Sequence, residues 1–353
     1  MTTVTNPEAP SIQQLLPTAL RETVAERAKQ VDKAELDARY ILPMLGDENL
    51  IGGSLPEIAQ AIRELAAEDL STAFTVWAQR MTWEYLRFGG TDYALTLAGA
   101  LAKGERPGVT GMAPVLKESA GAGEIALTAA PVEGGYRVTG KLNWASNLYD
   151  DAVLVTGAKT PDGTRLIFAV EAGQEGMAFG KPFGLLGLNA TASAWVTFED
   201  LFLPEAQILT DNINDFVPAV KPVLALLQVS ECLGLSEASA AAAEGRISGI
   251  NETFREDLDK IIAGNADLAN RQVEVIDRFL NRELNATEVL ELRLDAAELA
   301  VAAANVEVRV AGGAGYAKSS STSRRFREAA FIPVQSPSES QLRWELSRAR
   351  TKA

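Results

Sequence analysis

The chain of 353 residues contains no histidine and one cysteine, Cys232. Without imidazole there is no Ser-His-Asp or Cys-His nucleophile, no histidine metal ligand, and no side chain whose ordinary pKa makes it a general base near neutrality. A single cysteine excludes an intrachain disulfide and a Cys-x-x-Cys centre. Positive charge is also scarce: 33 Lys and Arg stand against 47 Asp and Glu, a net charge of −14. That balance argues against nucleic acid and anionic membrane surfaces as partners, since both need clustered Lys and Arg. The one dense basic run, Arg324-Arg325-Phe326-Arg327, is too short to reverse it. No apolar stretch reads as reaching the ~20 residues that span a bilayer. Residues 1–12 lack the basic-then-apolar pattern of a signal peptide, so the expected setting is cytoplasmic. What remains is carboxylate chemistry, hydroxyl and backbone hydrogen bonding, or a cofactor that brings its own reactivity.

The texture of the chain changes twice. Residues 1–10 are polar with two prolines and read as a loose tail. From Ser11 to about Lys103, apolar residues recur at three- and four-residue intervals, as in Ile58, Ala61, Ile62, Leu65 and Ala66, which predicts helices. Asp69-Leu70-Ser71-Thr72 leads into a second long helix that Gly89-Gly90 ends. After Arg106-Pro107-Gly108 the chain turns to short strands: 125–129, 136–145, 152–158, 166–170 and 194–198. Their spacing suggests a small barrel or sandwich. Beyond Pro204, Ala, Leu and Glu dominate, and the periodic stretch from Val217 to Ala311 predicts two or three long helices in a bundle. Breaks are expected near 245–249 and 282–286, with Gly312-Gly313-Ala314-Gly315 ending the third helix. The expected fold class is α+β, with an all-α domain (1–107), a β domain (108–210) and a helical bundle (211–353).

Three motifs lie along this α–β–α order: Gly140-Lys141-Leu142-Asn143-Trp144-Ala145-Ser146-Asn147; Val196-Thr197-Phe198-Glu199-Asp200-Leu201-Phe202-Leu203-Pro204; and Gly312-Gly313-Ala314-Gly315-Tyr316 followed by Arg327-Glu328-Ala329. Each resembles a segment of the acyl-CoA dehydrogenase superfamily, and together they cover the chain from about residue 15 to 346. The resemblance implies that fold: a helical domain, a small β-barrel and a C-terminal four-helix bundle. It also implies a flavoenzyme that uses FAD, or FMN, and a small-molecule or acyl-thioester substrate. The electron partner would be an electron-transfer flavoprotein or a flavin reductase, and the assembly a homotetramer or homodimer.

By that resemblance Trp144 stacks on the isoalloxazine ring, with Ala145 beside it, and the Ser146 hydroxyl hydrogen-bonds N5, the hydride-accepting atom. Thr110 and neighbouring amides contact the pyrimidine edge. Arg309, Gly312, Gly313 and Ser338 are further cofactor candidates, the glycine turn serving the FAD of a neighbouring subunit. Read without the resemblance, Trp144 is a core tryptophan, Ser146 a solvated strand hydroxyl and the glycine run a helix C-cap.

The departures concern proton transfer. The glutamate base of most members falls on Ser336, and the alternative position on the first bundle helix falls near Leu224; neither is acidic. Glu231, in a mainly apolar run, and Glu339, three residues beyond Ser336, are the replacement candidates. Ser336-Pro337-Ser338-Glu339 also reads as a capping box, which would occupy Glu339 structurally. The arginines of two cofactor motifs are missing at their expected places in 187–193 and 251–255, although Arg246 or Arg255 could substitute for the latter. Members that work as two-component monooxygenases, with reduced flavin and oxygen, need no such glutamate. Loss of base and arginines also fits a non-catalytic paralogue.

Overall fold

In a computed structural model, which describes residues 14–352, eleven α-helices and eight strands are found among the described residues. The expected tail, 1–10, lies outside them. Five helices come first: α1 (Thr18–Asp32), α2 (Ile41–Asp47), α3 (Leu55–Glu68), α4 (Leu70–Gly89) and α5 (Asp92–Ala102). Next come β1 (Gly108–Gly111), α6 (Ala113–Ser119), β2 (Thr128–Val132), β3 (Gly135–Ala145), β4 (Val153–Lys159), β5 (Arg165–Glu171), β6 (Met177–Phe179), β7 (Ala194–Pro204) and β8 (Ile208–Thr210). The bundle is α7 (Ile213–Glu244), α8 (Arg255–Leu280), α9 (Ala286–Tyr316), α10 (Ser321–Ala329) and α11 (Glu339–Lys352).

Local chemistry sets the helix ends. Ser54 caps α3 in a capping box: its hydroxyl accepts from the Glu57 amide, and the Glu57 carboxylate accepts from the Ser54 amide at 2.8 Å. Ser54→Ala is expected to cost about 1 kcal/mol, read as a lower thermal midpoint with unchanged ligand binding. Asp69 caps α4 by accepting from the Thr72 amide at 2.7 Å, and its other oxygen meets Arg324 of α10 at 3.0 Å. Gly90, in the left-handed region at φ 66°, stops α4 as Gly89-Gly90 suggested.

The sheet runs in the order β6-β7-β3-β2-β4-β5-β8, with β1 added parallel to β4. Residues from both arms of this path, among them Val138, Leu142, Leu154, Phe168, Val196 and Phe198, share one core, so the sheet curls around its own interior. β4 and β5 are buried along nearly their whole length because alternate residues serve different cores. Leu154, Phe168 and Val170 point into the curled sheet, while Val153, Val155, Ile167 and Ala169 join the helical core. That second core also takes in α3, α4, α7 and α9, so the β layer is fixed to the helices on both sides.

α7 is the axis of the bundle. At Gly234 it approaches α3 so closely that a Cβ would lie 2.1 Å from the Arg63 carbonyl oxygen, so no larger residue fits without moving a helix. α7 is also long and apolar enough to cross a membrane, contrary to the expectation that no stretch would be. Its apolar window is 78% buried within the fold, as a core helix requires.

Several local expectations are corrected. The first long strand of the β layer starts at Thr128 rather than 125, and β1, β6 and β8 were too short to announce themselves. The 112–119 segment, to which no element was assigned, holds α6, with Pro114 in its first turn where a missing amide costs nothing. α7 begins at Ile213 and carries Pro218 and Pro222 inside it. Gly312, at φ 58° and ψ −146°, breaks the regular helix of α9 within the glycine run, as expected, and one further helical turn follows to Tyr316.

Candidate active site

A cavity of about 410 Å³ opens where the end of β3 meets α4, α6, α7 and the segment after α10. Trp144, Ala145 and Ser146 form one wall, joined by Thr110 from β1. Leu224 of α7 and Ser336, with Phe331, Val334 and Gln335, form another. Phe74 and Trp77 come from α4, and Met112, Ala113, Leu116 and Lys117 from the α6 region. Leu185, Leu186, Gly187, Arg327 and Ala330 complete the lining.

Trp144 is 52% exposed, unusual for so large a residue, and leans on Phe183 at a ring separation of 4.6 Å. A half-exposed indole on a cavity wall is a flat apolar face without a partner. β3 ends at Ala145, so strict alternation stops there and all three of residues 144–146 reach the cavity. Ser146 is buried, and its hydroxyl lies 2.7 Å from that of Ser193. The Thr110 hydroxyl lies 3.3 Å from Tyr85 Oη. Phe74 stacks on Trp77 at 5.3 Å and meets Phe331 edge-on at 5.0 Å, which makes a rigid aromatic cluster. Trp77 Nε1 donates to the Leu224 carbonyl at 3.2 Å.

Both positions at which a base was expected are in the lining, as Leu224 and Ser336, and no carboxylate lines the cavity among the described residues. Its charged groups are Lys117 and Arg327, and Arg327 is neutralised by a two-pronged pair with Asp32 at 2.6 Å. The replacement candidates are not in the wall. Glu339 begins α11 and pairs outward with Arg343 at 2.8 Å. The expected capping box is displaced: Ser338, not Ser336, accepts from the Gln341 amide, because the helix starts two residues later than the box requires.

Glu231 is 1% exposed and lies behind the wall. It accepts from Gln335 Nε2 at 2.8 Å, and Gln335 itself lines the cavity. Burial pushes the Glu231 carboxyl up to about 8, offset in part by the Gln335 hydrogen bond and the Arg293 charge. The buried Arg293 holds Gln228 at 3.0 Å and the Ile332 carbonyl at 3.1 Å, and Gln228 Nε2 donates to the Ser336 carbonyl at 2.9 Å. This network fixes the backbone of the Ser336 wall from below. The Ser336 hydroxyl is buried without a hydrogen-bond partner among the described residues. Glu328, also fully buried, has its carboxyl raised by burial beside Arg324.

The remaining candidates lie elsewhere. Arg309 stacks on Phe254 at 4.5 Å, Gly312 and Gly313 are exposed, and neither these nor Ser338 line the cavity. Arg255 pairs with Glu244 at 2.8 Å, and Arg246 donates to the Ala242 carbonyl. Phe74, Trp77 and Phe331 were not foreseen as site residues. Phe74 and Trp77 on α4, and Phe331 in the turn after α10, carry no signal separating a cavity wall from a core.

The lining suits a flavin ring: one half-exposed indole, the Thr110 and Ser146 hydroxyls beside it, and a mostly apolar chamber. No family model matches the chain. Benzylmalonyl-CoA dehydrogenase of Aromatoleum aromaticum is 25% identical over 342 residues, covering 89% of this chain and 90% of that protein. A probable acyl-CoA dehydrogenase of Bacillus subtilis is 24% identical, covering 93% of each chain. Among solved structures, butyryl-CoA dehydrogenase of Megasphaera elsdenii superposes with a TM-score of 0.83 at 16% identity, covering 94% of this chain and 95% of that one. Glutaryl-CoA dehydrogenase of Mycobacterium smegmatis in complex with FADH2 gives 0.83 at 16% identity, covering 97% of each. These superpositions establish the fold: helical domain, curled β layer and helical bundle in one order. Together with relatives aligned over about nine-tenths of the sequence, they show a chain similar in sequence and fold to acyl-CoA dehydrogenases.

Proposed function

We propose that the protein is a flavin-dependent oxidoreductase, acyl-CoA dehydrogenase-like in scaffold, that holds FAD in this cavity and lacks the wall carboxylate for α-proton removal. The observation that carries this reading is the convergence of Thr110, Trp144, Ala145 and Ser146 on a chamber whose facing positions are Leu224 and Ser336. Trp144 holds the ring by stacking, Ser146 meets its N5 edge, and Thr110 its pyrimidine edge. Bound FAD supplies hydride acceptance at N5 or, when reduced, electrons for an acceptor. Phe74, Trp77, Leu116 and Phe331 exclude water and favour an apolar substrate portion, an acyl thioester or another small organic molecule. Lys117, at the exposed rim, suits an anionic group on that substrate. Exposed Gly312 and Gly313 suit contact with the flavin of a neighbouring copy, in a homodimer or homotetramer.

The absence of a carboxylate from the lining favours a second reading over dehydrogenation, that of a monooxygenase fed with reduced flavin by a reductase. Anaerobic addition of an acyl-CoA panel to the FAD-loaded protein tests this. The expected result is no bleaching of the flavin band by the wild type, and bleaching by at least one thioester in Ser336→Glu. Bleaching of the wild type would restore dehydrogenation and exclude the second reading. A protein that takes up neither oxidised nor reduced FAD contradicts both and leaves the non-catalytic paralogue.

A further inference from the structure

Three buried hydroxyls run away from the cavity in a chain. Ser146, on the cavity wall, lies 2.7 Å from Ser193; Ser193 lies 2.8 Å from Thr191; and Thr191 Oγ1 lies 2.8 Å from the Leu188 carbonyl oxygen. Thr191 is 1% exposed and Ser193 4%, so neither has water as an alternative partner. The segment that carries them is held in place: the Asn147 amide donates to the Thr191 carbonyl at 2.7 Å, and Leu188 and Ala192 sit at φ 60° and 44°, in the left-handed region.

Proton accounting fixes the direction of the chain. A carbonyl oxygen only accepts, so the single hydroxyl hydrogen of Thr191 lies on Leu188. Ser193 must then donate to Thr191, and Ser146 must donate to Ser193. Reversing the chain forfeits the Thr191–Leu188 bond in a site closed to water. Ser146 therefore turns lone pairs, not a hydrogen, toward the cavity.

The geometry points to a redox preference set by this relay: Ser146 is a hydrogen-bond acceptor matched to reduced flavin, whose N5 carries a hydrogen, and mismatched to oxidised flavin, whose N5 is itself an acceptor. This rests on the flavin reading above and adds to it the redox state in which the site takes the cofactor. Thr191 and Ser193 are positioning residues, acting on the ring only through Ser146. The hydrogen bond to N5 expected of Ser146 thus has Ser146 as its acceptor. The consequence suits an enzyme that receives flavin already reduced rather than one that binds it oxidised and waits for substrate.

The experiment is anaerobic titration of the full chain with FAD and with dithionite-reduced FAD, followed by tryptophan fluorescence, for the wild type, Thr191→Val, Thr191→Ser and Ser193→Ala. The wild type is expected to bind reduced FAD at least tenfold more tightly than oxidised FAD. For this two-electron couple, tenfold corresponds to about 30 mV of upward shift in the bound potential. In Thr191→Val the Ser193 hydrogen has no outlet but Ser146, so Ser146 turns its own hydrogen to the cavity. Oxidised FAD should then bind more tightly and the ratio fall at least tenfold, an improvement that a damaged fold does not produce. Ser193→Ala frees the Ser146 hydrogen in the same sense, and Thr191→Ser keeps the relay and the ratio. Binding of both redox states with a ratio that Thr191→Val leaves within twofold of wild type overturns the relay alone. Failure of the wild type to bind flavin in either state overturns the flavin reading and the relay with it.

Discussion

Trp144→Ala is expected to weaken FAD binding about 30-fold. The indole is 52% exposed and rests on Phe183 alone among the rings, so the fold depends on it little. Its open face is what a bound isoalloxazine ring would cover. Loss of that apolar contact and of its stacking is worth about 2 kcal/mol, which is about 30-fold in affinity. Trp144→Phe keeps a flat face of smaller area and should lose only part of this. Fluorescence titration with FAD measures the affinity, and a thermal midpoint near wild type confirms that the loss is local. An affinity within twofold of wild type would move the ring away from β3.

The second large effect is on stability against pH. The Glu231 carboxyl titrates near 4.5 when the chain is unfolded and at about 8 when folded, because burial disfavours its charge. The folded state therefore binds the proton more tightly. The stability this group contributes is complete below about pH 4.5 and is lost progressively as pH rises through 8. Glu231→Gln keeps the shape and an oxygen for Gln335 but cannot ionise. Relative to wild type it should gain about 3 kcal/mol between pH 5 and pH 8, a relative rise of about 4 °C in thermal midpoint. Glu328 is raised by burial as well and tilts wild type and variant alike, so the difference between them isolates Glu231. A pH-independent difference would mean that Glu231 is ionised and paired in the folded protein.

The fold was legible because its signals are long. Helical periodicity before residue 103 and after 213, and a Gly- and Thr-rich middle, survive small errors at each end. Short elements were lost: the seven-residue α6, with Pro114 in its first turn, carried no periodic signal of its own. Trp144, Ala145 and Ser146 could be picked out as wall residues because strand β3 carries a motif; the Phe74, Trp77 and Phe331 cluster could not, because only tertiary packing turns core aromatics into a wall.

Glu231 and Glu339 show the same limit for charge. Both are acids near the expected base in sequence. α7 directs Glu231 behind Gln335, whereas the late start of α11 turns Glu339 toward Arg343. The direction of the Thr191–Ser193–Ser146 relay is likewise invisible in sequence, since it depends on a carbonyl brought to Thr191 by the backbone at Leu188.

The central claim is that this cavity holds a flavin ring between the Trp144 wall and a wall without a carboxylate. A crystal structure of the protein soaked anaerobically with dithionite-reduced FAD tests it most directly. The account predicts isoalloxazine density against the Trp144 indole, with N5 at the Ser146 hydroxyl and no carboxylate reaching the chamber. Density for the ring elsewhere, or Glu231 swung past Gln335 into the cavity, would contradict it.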